Sequence, residues 1–319
     1  MKKAPVIFYL LGNFLLFVQG TKAQDSIRAN NADTTIINIQ DSLKAFEAEF
    51  DSLFPPKKSH IKLEVGYLSN NVYFGRKDSV STPYIVGQIA YYHKSGLYAN
   101  AMASYLPTSG EARFDLFTIE AGYMHKFGRF EMQIVANKYF YNSSSYNVES
   151  EIEGNVEAAF SYDWNIIAPV VNTTISFSQQ NDYSISLGVE HVFGAAHDRL
   201  QITPSFMANA STQNYYNEYN KFKKYQRLMK LLAIAGINAT ISANVQDATK
   251  FRLLDYEFSI PISYATKRIA FSFIPVYVIP LNPAAIIYTA KLPNQTIKKK
   301  YTEKLTDTFF FQAGVELKF

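Results

Sequence analysis

The sequence predicts an all-β fold, a closed antiparallel transmembrane β-barrel of about 12 strands. Three observations predict it. From residue 60 onward, apolar residues recur at every second position in segments of roughly ten residues, the pattern of strands with one apolar face. The opposite faces of many segments carry full charges, which the core of a soluble β-sandwich could not bury unpaired. Finally, the chain stops inside such a segment, on Phe319.

Residues 1–23 read as a signal peptide. Lys2 and Lys3 form a charged start, Pro5 to Val18 is apolar, and Thr21-Lys22-Ala23 fits a small-residue cleavage site. The apolar stretch is shorter than the roughly 20 residues of a spanning helix. The chain has no cysteine, which excludes disulfides and an acylated N-terminal cysteine. Residues 24–58 are polar and form a periplasmic tail. Within it Leu43, Phe46, Phe50 and Leu53 fall at helical spacing, so a helix is expected near 41–54. Asp41 suits its N-cap, and Pro55 and Pro56 end it. This helix either packs on its own barrel or docks another envelope protein.

The barrel is expected over 59–319. On "HIKLEVGYL" (60–68), Ile61, Leu63, Val65 and Tyr67 oppose Lys62, Glu64 and Gly66. On "LLDYEFSIPISY" (253–264), Leu254, Tyr256, Phe258, Ile260, Ile262 and Tyr264 oppose Asp255, Glu257, Ser259 and Ser263. Similar segments run near 84–93, 97–106, 113–126, 129–141, 153–164, 167–178, 182–192, 199–209, 268–279 and 309–319. Aromatic residues gather toward segment ends, as in an interfacial girdle. Connections at 93–96, 126–129, 193–199 and 265–268 are short. Those at 69–83, 142–153, 210–250 and 280–308 are long. Outer-membrane barrels have short periplasmic turns and long outer loops, so both ends of the barrel domain are placed in the periplasm. That parity holds only if 210–250 is one large, partly helical outer loop, with "INATISANV" (237–245) inside it.

The stretches "LLDYEFSIPISYATKRIAFSFIPVYVIPLNP" (253–283) and "ITPSFMANASTQNYY" (202–216) resemble uncharacterised outer-membrane β-barrel proteins of Bacteroidota. The resemblance implies residence in a Gram-negative outer membrane and assigns no catalytic residue. The closing alternation of Phe311, Val315, Leu317 and Phe319 resembles the signal by which the barrel-assembly machinery recognises its clients.

No enzyme chemistry is expected. His60, His93, His125, His191 and His197 all fall toward the periplasmic side, away from the outer loops. His60 and His93 are too few to hold a metal, and no cofactor is expected. The net charge of +4 and the export signal argue against nucleic acid as a partner. The polar faces carry Glu64, Glu120, Glu131, Glu157, Asp163, Glu190, Asp255, Glu257 and Glu316, with few lysines: Lys62, Lys126 and Lys318. Such a lumen is either a packed, hydrogen-bonded interior or a hydrated bore selecting cations or polar solutes. Against that acidity, the loop segment 217–232 carries Lys221, Lys223, Lys224, Arg227 and Lys230 among large apolar residues, as a basic amphipathic helix. It caps the lumen, contacts lipopolysaccharide or docks a protein. The leading expectation is a pore for small polar or cationic solutes, restricted by an outer loop. The alternative is a structural or accessory subunit of an outer-membrane complex, docking partners through its loops and tail.

Overall fold

The structure, a computed structural model, describes residues 59–319 other than 79, 109, 197–198, 222–228, 231–233, 235–239, 267 and 293–294. The expected signal peptide and tail helix lie outside the described residues.

The strands before the first helix are β1 (His60–Leu68), β2 (Tyr84–Tyr92), β3 (Leu97–Leu106), β4 (Arg113–Phe127), β5 (Phe130–Tyr141), β6 (Gly154–Tyr162), β7 (Ala168–Phe177), β8 (Asp182–Glu190), β9 (Phe193–Ala195), β10 (Leu200–Ile202) and β11 (Ser205–Ser211). A short helix, α1 (Asn214–Tyr219), and β12 (Thr240–Val245) follow. The chain continues with β13 (Arg252–Ser259), β14 (Ile262–Ala265), β15 (Ile269–Pro280), β16 (Ala285–Leu292), β17 (Gln295–Thr302) and β18 (Thr308–Lys318).

Strands β12, β16 and β17 form a separate sheet, and the other fifteen form the barrel wall. Three of the fifteen continue their neighbours: β8 runs into β9, β10 into β11, and β13 into β14. Pro204 and Pro261 cause two of these interruptions, because proline cannot donate to a ladder. Bonds resume beside them, with the Thr203 amide donating to the Pro261 carbonyl at 2.9 Å. The wall is therefore a closed antiparallel barrel of 12 strands. It closes where β1 pairs with β18 in register from Lys62 opposite Lys318 to Leu68 opposite Gln312. The last residue takes part: the Phe319 amide donates to the Ile61 carbonyl at 3.1 Å.

Alternation decides which face meets lipid. Along β1 each apolar residue at 61, 63, 65 and 67 is exposed and each intervening side chain is buried. Val65 is 61% exposed, as are, to lesser degrees, Ile89, Ile119, Ile134, Leu187 and Phe271. A soluble protein would not turn such a continuous belt outward. Aromatic residues frame the belt. Tyr91, Phe127, Tyr162, Trp164 and Phe193 lie near the rim that carries the chain end, and Phe114, Phe140, Phe177, Tyr183 and Phe309 lie near the opposite rim.

One register differs from the expectation. Alternation puts Leu254 on the outward face with Tyr256 and Phe258, but it is fully buried. The pairing of β11 with β13 shifts between Asn209 and Ala210, so that Asp255 pairs with Asn209 and Leu253 with Ala210. Leu254 is the extra residue of this β-bulge, and a bulge turns one side chain to the opposite face. Of the segment 237–245, the described residues 240–245 stay out of the wall, as expected. Its described part, β12, pairs with β16 beyond the barrel rim.

Candidate functional site: buried carboxylates and an apolar plug

Strand alternation places Glu64, Glu120, Glu131, Glu157, Glu190, Asp255, Glu257 and Glu316 on the inner face, with Asp163 in the turn after β6. All nine are buried, and the most exposed, Glu257, is at 6%. Side chains lining a wide aqueous bore would remain exposed, so this interior is filled by its own side chains. Asn155 donates to Glu157 at 2.6 Å, and Asn137 bridges both residues, donating at 2.8 Å to the Asn155 side-chain oxygen. Asn209 donates to Asp255 at 2.5 Å. Lys62 lies 3.4 Å from Glu316, and Lys126 lies 3.2 Å from Glu131. Tyr98 lies across the inner face over Gly122, where a Cβ would overlap its ring, and receives a hydrogen bond from Gln133 at 2.5 Å.

At the rim opposite the chain end, buried apolar side chains form a plug inside the wall. Three inter-strand segments enter it. The first is the tip of the 69–83 loop, a two-residue hairpin. Tyr73 and Arg76 exchange backbone bonds of 2.8 and 2.9 Å around Phe74 and Gly75, both at positive φ. Glycine is the natural occupant of such a turn. A Cβ at Gly75 would also lie 2.7 Å from Pro280. Phe74 tolerates its strained backbone because its ring is buried with Tyr73, at a centroid distance of 4.9 Å. The second segment is α1, whose Tyr215 meets Tyr73 edge-on at 4.6 Å. Its N-terminus is capped from the wall: Asp182 accepts from the amides of Asn214 and Tyr215 at 2.7 and 2.6 Å. A carboxylate there satisfies amide groups that the helix leaves unpaired. The third segment is 142–153, contributing Val148 and Ile152. These residues form one buried cluster with Leu68, Tyr84, Met102, Leu116, Tyr139, Leu254, Ile274 and Phe310 of the wall.

Polar ties lock the plug. Arg76 is 1% exposed and donates to the carbonyls of Phe74, Leu281 and Asn282 at 2.8, 3.2 and 2.9 Å. Its Nε lies 3.6 Å from Glu303. With its side-chain amide oriented to satisfy both groups, Gln213 also accepts from Arg76, at 2.8 Å. One guanidinium thus joins the 69–83 loop, the start of α1 and the 281–307 loop. Asn71 donates to Glu149 at 2.8 Å, tying the first loop to the third segment. Burial pushes the Glu149 carboxyl up to about 7, and the bond from Asn71 opposes the shift only in part. Tyr219 donates to Asp78. Asp115 gathers Tyr84 at 2.5 Å, Ser145 at 2.7 Å and Arg113 at 2.8 Å.

Of the nine expected lumen carboxylates, eight are buried on the inward side of strands and Asp163 is buried in the turn after β6. It places Val315, Leu317 and Phe319 on the exposed outer face of β18, with Phe311 half-buried there. Of the predicted basic helix, Lys221 and Lys230 are exposed, and Lys223, Lys224 and Arg227 lie outside the described residues. Among the described residues, α1 overlaps the start of that segment at 217–219 and packs into the plug. Sequence reasoning missed Arg76, Asp115, Glu149, Asp182 and the tyrosines of α1. The available signal was aromatic density in "NVYFGR" (71–76) and "NYYNEY" (214–219), segments that should otherwise be aqueous loops. Among the described residues, no group of three or more His, Asp or Glu is arranged to hold a metal.

Fold and lipid belt together define a transmembrane β-barrel of the outer-membrane type. No family model matches the chain, and no curated protein matches it in sequence. Among solved structures it is similar to a KdgM porin, at 9% identity and a TM-score of 0.41, covering 81% of this chain and 99% of that one. It is also similar to a bacterial polysaccharide outer membrane secretin, at 9% identity and 0.39, covering 82% and 99%. A third is Salmonella typhi OmpF, at 9% identity and 0.30, covering 82% and 97%. At these values the likenesses carry nothing about function.

Proposed function

We propose that the protein is an outer-membrane channel for small polar or cationic solutes, closed in this conformation by the plug that Arg76 ties together. The chain end faces the periplasm and the plugged mouth faces outward. The carrying observation is the inner surface itself. Eight buried carboxylates on the inward side of strands, with Asp163 buried in a turn beside them, outnumber Lys62, Lys126 and Lys318, an excess of negative charge that a purely structural filler would not need. Rings of carboxylates favour cations over anions in a pore. The plug is made of loops rather than wall strands, so it can move without breaking the barrel. Proteoliposomes test this: swelling in an iso-osmotic small polar solute should be slow with the wild type and faster with Arg76→Ala. A folded Arg76→Ala barrel that swells no faster would count against a channel.

The close-packed interior favours a second reading, a non-conducting structural or accessory subunit that presents its loops and tail to envelope partners. In that case the same variants stay impermeable, and intact complexes isolated from membranes contain the barrel at fixed stoichiometry. The outward apolar alternation up to Phe319 supports handling by the barrel-assembly machinery under either reading.

A further inference from the structure

We propose that the β16–β17 hairpin is a flap that binds the phosphate groups of the glycolipid in the surrounding outer leaflet. The proposal rests on the outward orientation of the plugged mouth. The flap is anchored at one end: Ile286, Ala243 and Val245 share one face and are buried against the plug. From there β17 extends as the edge of the three-stranded sheet, paired among the described strands only with β16. Residues 296–302 are exposed on both faces. Lys298 and Lys300 occupy one face, opposite Thr289 and Ile287. Lys299 occupies the other, between Ile297 and Tyr301, which are 47% and 41% exposed. Lys291 and Lys304 add charge at the two ends of the hairpin.

Charge and composition identify the occupant. The loop 281–307 contains two acids, and both are engaged within the fold. Glu303 faces Arg76 and accepts from the Ala284 amide at 3.0 Å, and Asp307 accepts from Tyr277 at 2.6 Å. The five lysines make no ion pair among the described residues, so the flap presents an uncompensated positive surface. Two exposed apolar side chains flanking a lysine are unsuited to free solution. They suit an interface where acyl chains and anionic headgroups meet. The belt residues below the same rim already face lipid, so the anionic glycolipid of that leaflet is the neighbour of the flap. Each cation held near such a surface contributes its own attraction, so Lys298 and Lys300 on one face and Lys299 on the other each add to it.

The test uses the full-length mature protein in phosphatidylcholine nanodiscs containing bisphosphorylated lipid A. Retained lipid A is counted by native mass spectrometry. The variant Lys298→Gln/Lys299→Gln/Lys300→Gln should retain at least about tenfold less, and raised salt should weaken wild-type retention. Lys94→Gln, at the opposite rim, should retain the wild-type amount, and heat-modifiable migration should be unchanged in both variants. Equal retention by the triple variant would overturn the proposal, as would equal retention of phosphatase-treated lipid A. Displacement of lipid A by millimolar inorganic phosphate would overturn the commitment to a lipid. Orientation is checked separately, by labelling Lys300→Cys in intact cells with an impermeant thiol reagent. Labelling that requires permeabilised cells would reject the outward mouth, while nanodisc binding would still report on the flap.

Discussion

Arg76 donates a 2.9 Å hydrogen bond to the carbonyl oxygen of Asn282, joining two loops 206 residues apart in sequence. The same guanidinium bonds Phe74 and Leu281 and faces Glu303. A buried cation with this many acceptors cannot be removed without leaving them unmatched. Arg76→Ala should therefore destabilise the plug by about 3–5 kcal/mol, the usual result of breaking one partner out of a buried pair. Limited proteolysis of the folded barrel should cleave the 281–307 loop much faster in the variant. An unchanged cleavage rate would show that Arg76 does not hold the loops together.

The plug should loosen as pH rises. Glu149 has its carboxyl pushed from 4.5 to about 7 by burial. Its surroundings offer Asn71 as a donor, Asp115 as a like charge partly matched by Arg113, and the phenols of Tyr73, Tyr84 and Tyr141. Because its folded value is raised, the folded state holds the proton more tightly. Its stabilisation is full below about pH 4.5 and is lost as pH rises through about 7. The shift corresponds to on the order of 3 kcal/mol. Loop proteolysis followed from pH 4.5 to 8 should accelerate in the wild type, and Glu149→Gln should flatten the dependence. A wild-type profile that is flat across this window would remove Glu149 as a pH-sensitive element.

Lipid-facing and lumen-facing positions should respond oppositely to charge. Ile260 is 48% exposed on the outer surface, whereas Glu257 is buried within. Ile260→Arg should impair folding into bilayers by roughly 2–4 kcal/mol if it lies near the midplane. Cysteine labelling provides the check. Residue 260 should react with a lipid-soluble probe and residue 257 should not, and the reverse would mean that the register is wrong.

The chain end should matter for assembly more than for the folded state. Phe319 is an exposed outer-face residue whose amide pairs with Ile61. Deleting Phe319, or replacing it with Asp, should lower the amount of heat-modifiable protein in the outer membrane. Wild-type levels of the deletion variant would reject an assembly role.

The wall was legible in the sequence because lipid imposes a strict period of two, and a slip of one residue would expose every charge. That is why counting by twos puts eight of the nine carboxylates on the inward side of strands, whereas Asp163 lies in the turn after β6. Leu254 escaped because a bulge adds one residue without any mark in the apolar pattern. The plug escaped for a different reason. Loops follow no period, and Arg76 is held mainly by backbone carbonyls, which every sequence offers equally. Only the excess of Tyr73, Phe74, Tyr215, Tyr216 and Tyr219 in nominally aqueous segments pointed to burial there.

Single-channel conductance in planar bilayers, measured under a potassium chloride gradient, tests the closed acidic channel most directly. Wild-type barrels should insert and remain mostly closed. Arg76→Ala barrels should open more often, with a reversal potential showing cation preference. Adding Glu157→Gln and Glu257→Gln to Arg76→Ala should weaken that preference. Folded, inserted Arg76→Ala barrels that stay as silent as the wild type, or that prefer anions, would contradict the account.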